Sequence, residues 1–120
     1  MPKLIASPTP IPSVGNTTKF AKEYVGLVNT GESRVSVTLV QSPAGWKGIG
    51  QWADYHEYRV VYQGVLHVEH TDGTIDVEAG QGLEVAPGEW VQFSTPGEGG
   101  ADYVTVCLPA FSRASVHRDE

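Results

Sequence analysis

The chain has 120 residues, of which 40% are hydrophobic and 18% are charged, a composition typical of a globular domain that buries a core. Its formal net charge of -6 argues against nucleic-acid binding, which requires a basic face. No apolar run has the length of a membrane span, no signal peptide is recognisable, and one cysteine excludes an internal disulfide. We therefore expect one cytoplasmic domain over residues 1–120, with neither a nucleic-acid nor a membrane partner.

Residues 1–22 are expected to form an extended arm. Four of the eight prolines lie within residues 1–19, which excludes a helix and restricts the segment to extended or edge-strand conformations. A frayed tail is the alternative.

Two strands are predicted next, at residues 24–29 and 34–41. In the second, Val35, Val37 and Leu39 alternate with polar residues, which predicts that the apolar side chains face the core.

The rest of the chain is predicted as further short strands. An Asp72-Gly73 turn predicts a hairpin between residues 65–70 and 74–77. No window has helical periodicity, and the tail is predicted as a short helix or a docked strand. Eight to ten short strands with glycine-rich turns favour a sandwich or a barrel, without deciding between an immunoglobulin-like sandwich and a jelly roll. The remaining predicted strands cover residues 83–86, 90–94 and 103–108.

Two segments resemble the two conserved motifs of the cupins. In the first motif a glycine is followed by a His-x-His pair, a glutamate and a closing glycine. Gly45, Glu57 and Gly64 match this pattern, whereas Gln51 and Ala53 occupy the histidine positions.

The second motif matches at residues 80–95. Gly80 and Gly88 fit, and Val91 occupies the position of the third histidine. The resemblance covers about residues 35–108 and implies an all-β fold: a small, RmlC-like cupin jelly-roll barrel (double-stranded β-helix). A further similarity is to EutQ-type cupins, which also lack the full histidine set. The resemblance also implies that the N-terminal arm lies across a partner subunit, and hence a homodimer.

The usual cupin metal site has lost three of its four ligands. One carboxylate and one amide do not make a tight transition-metal site, so we expect no metal cofactor. The alternative is a divalent transition metal held at Glu57 with help from His56, Asp54 or Gln51.

Glu57 and Arg59 have the same parity on a strand, so both are expected to face the barrel interior. There Glu57 would act as a general base and Arg59 as an electrostatic clamp, with Tyr55 or His56 as an auxiliary acid. The alternative is a mutually satisfied buried ion pair without a ligand.

Several other residues are candidates for ligand binding, because pockets combine apolar walls with a few convergent polar groups. His67 and His70 lie on opposite strand faces and are expected at the surface, and Cys107 is expected to be a buried structural thiol. Together with Arg59, the predicted ligand-binding residues are Gln51, Trp52, Val91, Phe93 and Tyr103.

The sequence therefore predicts a metal-independent isomerase, lyase or cyclase that acts on a small polar or carbonyl-bearing metabolite. A non-catalytic ligand-binding cupin is the first alternative, and a metal-dependent dioxygenase with an atypical ligand set is the second. The fold alone does not decide among them, because one fold hosts unrelated chemistries.

Overall fold

The structure, a computed structural model, describes residues 1–120. It consists of eleven strands and one short 3-10 helix, and no helix is long and apolar enough to cross a membrane. The strands are β1 (Thr9–Ile11), β2 (Phe20–Val25), β3 (Ser36–Ser42), β4 (Trp46–Lys47), β5 (Gln51–Ala53), β6 (His56–His70), β7 (Gly73–Glu78), β8 (Gly82–Val85), β9 (Val91–Thr95), β10 (Ala101–Leu108) and β11 (Val116–Arg118); the 3-10 helix is Arg113–Ser115.

The strands form a curled antiparallel sheet in the order β1-β2-β3-β10-β6-β9-β5-β11, with β4 paired to β9 and both β7 and β8 paired to β6. The long strand β6 belongs to both halves of the barrel. Its first part pairs with β8 and β10, and its last part with β7 and β9.

Gly64 lies where β6 passes from one half of the barrel to the other. Its φ of 76° favours glycine, and a Cβ there would collide with the carbonyl oxygen of Gly100. This close approach explains physically why the closing position of the first motif holds a glycine.

The main hydrophobic core lies between the two halves of the barrel. It contains fully buried residues of β6, including Val61 and Leu66, together with Phe93 of β9 and Tyr103 of β10. A smaller cluster of Tyr55, Cys107 and Val116 lies near the cavity described below.

Most of the predicted strands are confirmed within one or two residues, and so is the hairpin at Asp72-Gly73, where His70 pairs with Gly73. The predicted strand at 24–29 is wrong, because β2 begins at Phe20 and ends at Val25. The chain then turns, and the buried Glu23 carboxylate accepts hydrogen bonds from the Val28 and Asn29 amides, both at 3.0 Å.

The predicted facing of β3 is also wrong. Ser36, Val40 and Ser42 are the buried residues, while Val37 and Leu39 lie on the outer face and are partly buried. The inner hydroxyl groups are hydrogen-bonded: Ser42 Oγ lies 3.2 Å from the Tyr103 hydroxyl, and Ser36 Oγ accepts from the Phe111 amide at 2.9 Å. The barrel interior therefore accepts hydroxyl groups, and the apolar Val37 and Leu39 lie on the outer face of β3.

The N-terminal arm packs on the barrel of its own chain. Its residues Thr9–Ile11 form β1, which pairs with β2, and the end of the arm continues into β2 itself. The C-terminal tail closes the opposite edge, since β11 pairs with β5. Ile11 of the arm and Val116 of the tail nevertheless line the same cavity, because the sheet is curled.

Candidate functional site

A cavity of about 100 Å³ lies inside the barrel, between the N-terminal arm and the strands β5, β6, β10 and β11. Eight of its sixteen lining residues are hydrophobic, and the charged ones converge from three separate parts of the chain. Its polar and charged lining residues include Lys19, Gln51, Glu57, Arg59, Thr105 and Arg118.

Glu57 and Arg59 form a buried ion pair at the base of this cavity. Both side chains point inward because residues two apart on a strand share a face. Arg59 Nε donates to Glu57 Oε2 at 2.7 Å, and the two residues are 7% and 3% exposed. The hydrogen bond uses one Glu57 oxygen and leaves Oε1 available to a ligand.

Two aromatic rings hold the Arg59 guanidinium in place. Its central carbon lies 3.6 Å from the centroid of the Phe93 ring, and Nη1 donates to the Tyr103 hydroxyl at 3.4 Å. Burial disfavours the charge, but attraction to Glu57 and Tyr103 outweighs burial and raises the pKa of Arg59. Arg59 is therefore a fixed positive charge.

Lys19 lies at the cavity wall just before β2. Its Nζ is 4.2 Å from the centroid of the Trp46 ring, and it forms no salt bridge with a carboxylate. Burial and then the charge of Arg59 lower the pKa of the Lys19 amine to about 7; Glu57 opposes this shift, and Arg118 adds to it. Lys19 is thus an amine whose charge changes near neutral pH.

Two more polar groups face the cavity without a partner in the protein. Arg118 of β11 lines the wall and forms no salt bridge. The Thr105 hydroxyl of β10 is buried and has no hydrogen-bond partner. Because a buried polar atom without a partner costs free energy, the Thr105 hydroxyl indicates a position for a polar ligand atom.

Tyr55 and Cys107 form the neutral part of the lining. Burial, followed by the negative charge of Glu57, raises the pKa of the Cys107 thiol to about 12. The same two causes raise the pKa of the Tyr55 hydroxyl. Cys107 is therefore protonated at neutral pH, and its burial agrees with the predicted buried thiol.

Several solved structures share this architecture. Oxalate decarboxylase from Bacillus subtilis superposes with a TM-score of 0.77 at 17% identity, over 95% of this chain and 30% of that chain. The EutQ protein of Clostridium difficile gives a TM-score of 0.65 at 20% identity, over 79% and 65% of the two chains. A putative ethanolamine utilization protein Q from Salmonella typhimurium LT2 gives 0.67 at 19% identity, over 87% and 97%.

The chain has the cupin fold.

The jelly-roll prediction and the similarity to EutQ-type cupins are thereby confirmed. Among curated proteins, the endoribonuclease YbeY of Myxococcus xanthus (strain DK1622) is 30% identical over 101 residues, which are 84% of this chain and 34% of that protein. This cupin-fold chain thus spans about a third of the curated relative and of the oxalate decarboxylase that it matches. No protein-family model matches it.

The residues of the cupin metal position do not fit a transition metal. No three His, Cys, Asp or Glu side chains are arranged to hold a metal ion, and Glu57 is bound to Arg59. His56 lies on the outer face, where Nε2 is 3.0 Å from Glu84 Oε2, so it is not available beside Glu57. Asp54 contacts His117 Nε2 at 3.0 Å.

Of the predicted site residues, four line the cavity, namely Gln51, Tyr55, Glu57 and Arg59. Phe93 and Tyr103 lie behind the cavity and position Arg59.

The structure does not bring three predicted residues to the cavity. His56 has the outward parity of β6 and stacks on Tyr58 at 5.1 Å. Trp52 has the outward parity of β5 and stacks on His117 at 5.5 Å. Val91 is buried in the main core.

Sequence reasoning missed Lys19, Thr105 and Arg118 as cavity residues. Charged side chains usually face solvent, so the sequence does not mark Lys19, whereas the structure places it at the cavity and leaves its apolar neighbour Phe20 59% exposed. Arg118 lies in a polar tail with no motif, and only the pairing of β11 with β5 brings it to the barrel.

Proposed function

We propose that this cupin-fold chain binds a small metabolite bearing a carboxylate and a carbonyl group in the cavity, and that Glu57 transfers a proton to or from it without a metal. The observation that carries this proposal is the charge balance of the lining. Arg59 and Arg118, together with Lys19 in its protonated form, face one carboxylate, Glu57, in a chain whose net charge is -6. An excess of positive charge inside an acidic protein favours an anionic ligand.

The size and lining of the cavity support a small ligand. About 10 to 15 Å³ of such volume holds one water, so a cavity of about 100 Å³ suits a ligand of on the order of ten non-hydrogen atoms. Arg118 offers a planar fork that matches a carboxylate, and the Thr105 hydroxyl offers one further polar contact. Oxalate, named for the Bacillus subtilis neighbour, is one anion of suitable size.

Binding is tested by the thermal shift of the protein with a panel of two- to five-carbon mono- and dicarboxylates, followed by calorimetry on those that stabilise it. We expect Arg118→Gln to weaken binding about tenfold, because a charge-assisted hydrogen bond is lost. Arg113→Gln is the matched control, since Arg113 lies in the same tail and is exposed. Equal affinity of both variants and the wild type, or no stabilising carboxylate, would contradict the proposal.

Proton transfer by Glu57 is tested separately. A bound 2-oxo acid should exchange its C3 protons for deuterium in D2O, and proton NMR measures this exchange. Glu57→Gln should abolish it. Glu84→Gln is the control, because Glu84 is exposed on the outer face. Wild-type protein that binds the ligand without exchange would be the non-catalytic binding module.

Ribonuclease activity, named for the Myxococcus relative, is not favoured for this chain. The match covers 34% of that protein, and a net charge of -6 repels a phosphate backbone. The cytoplasmic location expected from the single cysteine stays a prediction.

A further inference from the structure

Lys19 differs in its surroundings from the other three lysines of the chain. Lys3, Lys22 and Lys47 are exposed, whereas Lys19 is partly buried and lines the cavity. The Trp46 ring covers one side of its amine, and Ile11, Pro12 and Val14 of the arm line the same cavity.

The charges around Lys19 favour its neutral form. Arg59 of β6 and Arg118 of β11 face it, and the one carboxylate nearby, Glu57, is bound to Arg59. A lysine that is desolvated and placed beside other cations is an unprotonated, nucleophilic amine for part of the time at neutral pH.

We propose that Lys19 is a nucleophile that forms an imine with the carbonyl carbon of a 2-oxo acid bound in the cavity. This inference rests on the proposed function, because the cavity must first hold the carboxylate. Arg118 and the Thr105 hydroxyl then bind the carboxylate and leave the adjacent carbonyl to Lys19.

The step balances without any further reactant. The neutral Nζ adds to the carbonyl carbon, so that a C–N bond forms and the carbonyl oxygen takes a proton. The hydroxyl then leaves as water with a second proton, and the nitrogen, having lost two protons, becomes doubly bonded to carbon. Glu57 Oε1, which the hydrogen bond to Arg59 leaves free, accepts and donates these protons.

The imine is tested by trapping it with cyanoborohydride. Wild-type protein is incubated with pyruvate and the reductant at about pH 7, and intact mass and peptide mapping locate the added 1-carboxyethyl groups. We expect Lys19 to be modified at least about tenfold faster than Lys22 and Lys47, because an ordinary lysine is almost fully protonated at that pH. Equal rates at the three lysines would overturn the proposal.

Lys19→Arg is the matched variant, because it keeps a positive charge at the cavity wall and cannot form an imine. Its fold is checked by circular dichroism and its melting temperature. We expect it to lose the trapped product, whereas Lys22→Arg, a change at an exposed lysine outside the cavity, should keep both the product and the thermal stabilisation by pyruvate. If pyruvate stabilises the wild-type protein but does not modify Lys19, the imine proposal is overturned and the proposed binding stands. If no carboxylate stabilises the protein, both proposals are overturned.

Discussion

Arg59 Nε donates to Glu57 Oε2 across 2.7 Å, and the two residues are separated by one position along β6. Both side chains line the cavity, and Glu57 is the residue that matches the glutamate of the first cupin motif. The pair satisfies one carboxylate and one guanidinium, but it leaves the Lys19 amine and the Arg118 guanidinium without a carboxylate partner. The buried ion pair is therefore present, and the cationic side chains beside it support the proposed ligand site.

Removal of one member of this pair should strongly destabilise the fold. Glu57→Ala leaves the Arg59 guanidinium buried without its carboxylate, which costs about 3 kcal/mol or more of unfolding free energy. Urea unfolding monitored by tryptophan fluorescence measures this cost. The double variant Glu57→Gln, Arg59→Met should recover most of the loss, because it removes both charges. A single variant as stable as the wild type would contradict the pair's burial.

The stability of the protein should rise with pH between about 7 and 10.5 because of Lys19. In this range the unfolded lysine is protonated and the native one is largely neutral, so the unfolded state binds more protons. The groups facing Lys19 are Arg59, Glu57 and Arg118, with Tyr55 and Cys107 also on the cavity wall.

The measurement is the unfolding free energy of wild type and Lys19→Met at about pH 6.5, 8, 9.5 and 11. We expect the wild type to gain on the variant as the pH rises, and the difference to level off above the pKa of a free lysine. Lys22→Met is the control, since Lys22 is exposed and should leave the pH profile unchanged. A difference that does not change with pH would contradict the prediction.

The fold could be predicted from sequence because turns and two glycine-anchored motifs survive in it. Gly64 is required by backbone contact with Gly100, and no change of chemistry in the cavity relaxes that requirement. The inward direction of Glu57 and Arg59 followed from the two-residue period of a strand.

The rest of the site could not be predicted, because its residues come from segments without periodicity. Lys19 and Arg118 lie far apart in the chain, and they line one cavity because the curled sheet brings β2 and β11, which lie toward opposite ends of the strand order, to the same space. The facing of β3 failed for a related reason. Rules that place apolar residues inside assume a dry core, whereas this lumen contains the hydroxyl groups of Ser36 and Ser42.

Protein purified without a histidine tag should contain less than about a tenth of an equivalent of iron, manganese, nickel, copper or zinc, measured by elemental analysis after incubation with each. The reason is the donor set, in which Glu57 is paired with Arg59 and no third ligand is nearby. Near-stoichiometric metal that disappears in Glu57→Gln would contradict this prediction and make Lewis-acid or redox chemistry the next assay.

The outer face of one half of the barrel should join two copies of the chain. Aligned by strand register, apolar side chains of β3, β10 and β6 form two adjacent rows on this face. Val60 is 51% exposed and Tyr58 is 39% exposed. A contiguous exposed apolar patch on a protein surface marks an interaction site. The rows are Leu39, Val104 and Val60, and Val37, Val106 and Tyr58.

Sedimentation equilibrium tests this homodimer. We expect twice the chain mass of 12.9 kDa for the wild type and the monomer mass for Val60→Lys, because a charge in the centre of an apolar interface is costly to bury. Ile75→Lys is the matched control, since Ile75 is 43% exposed on β7, away from this face, and should leave the mass unchanged. A wild-type protein that remains monomeric at concentrations of about 0.1 mM would show that the apolar rows serve another purpose, since an interface of standard size associates far below that concentration.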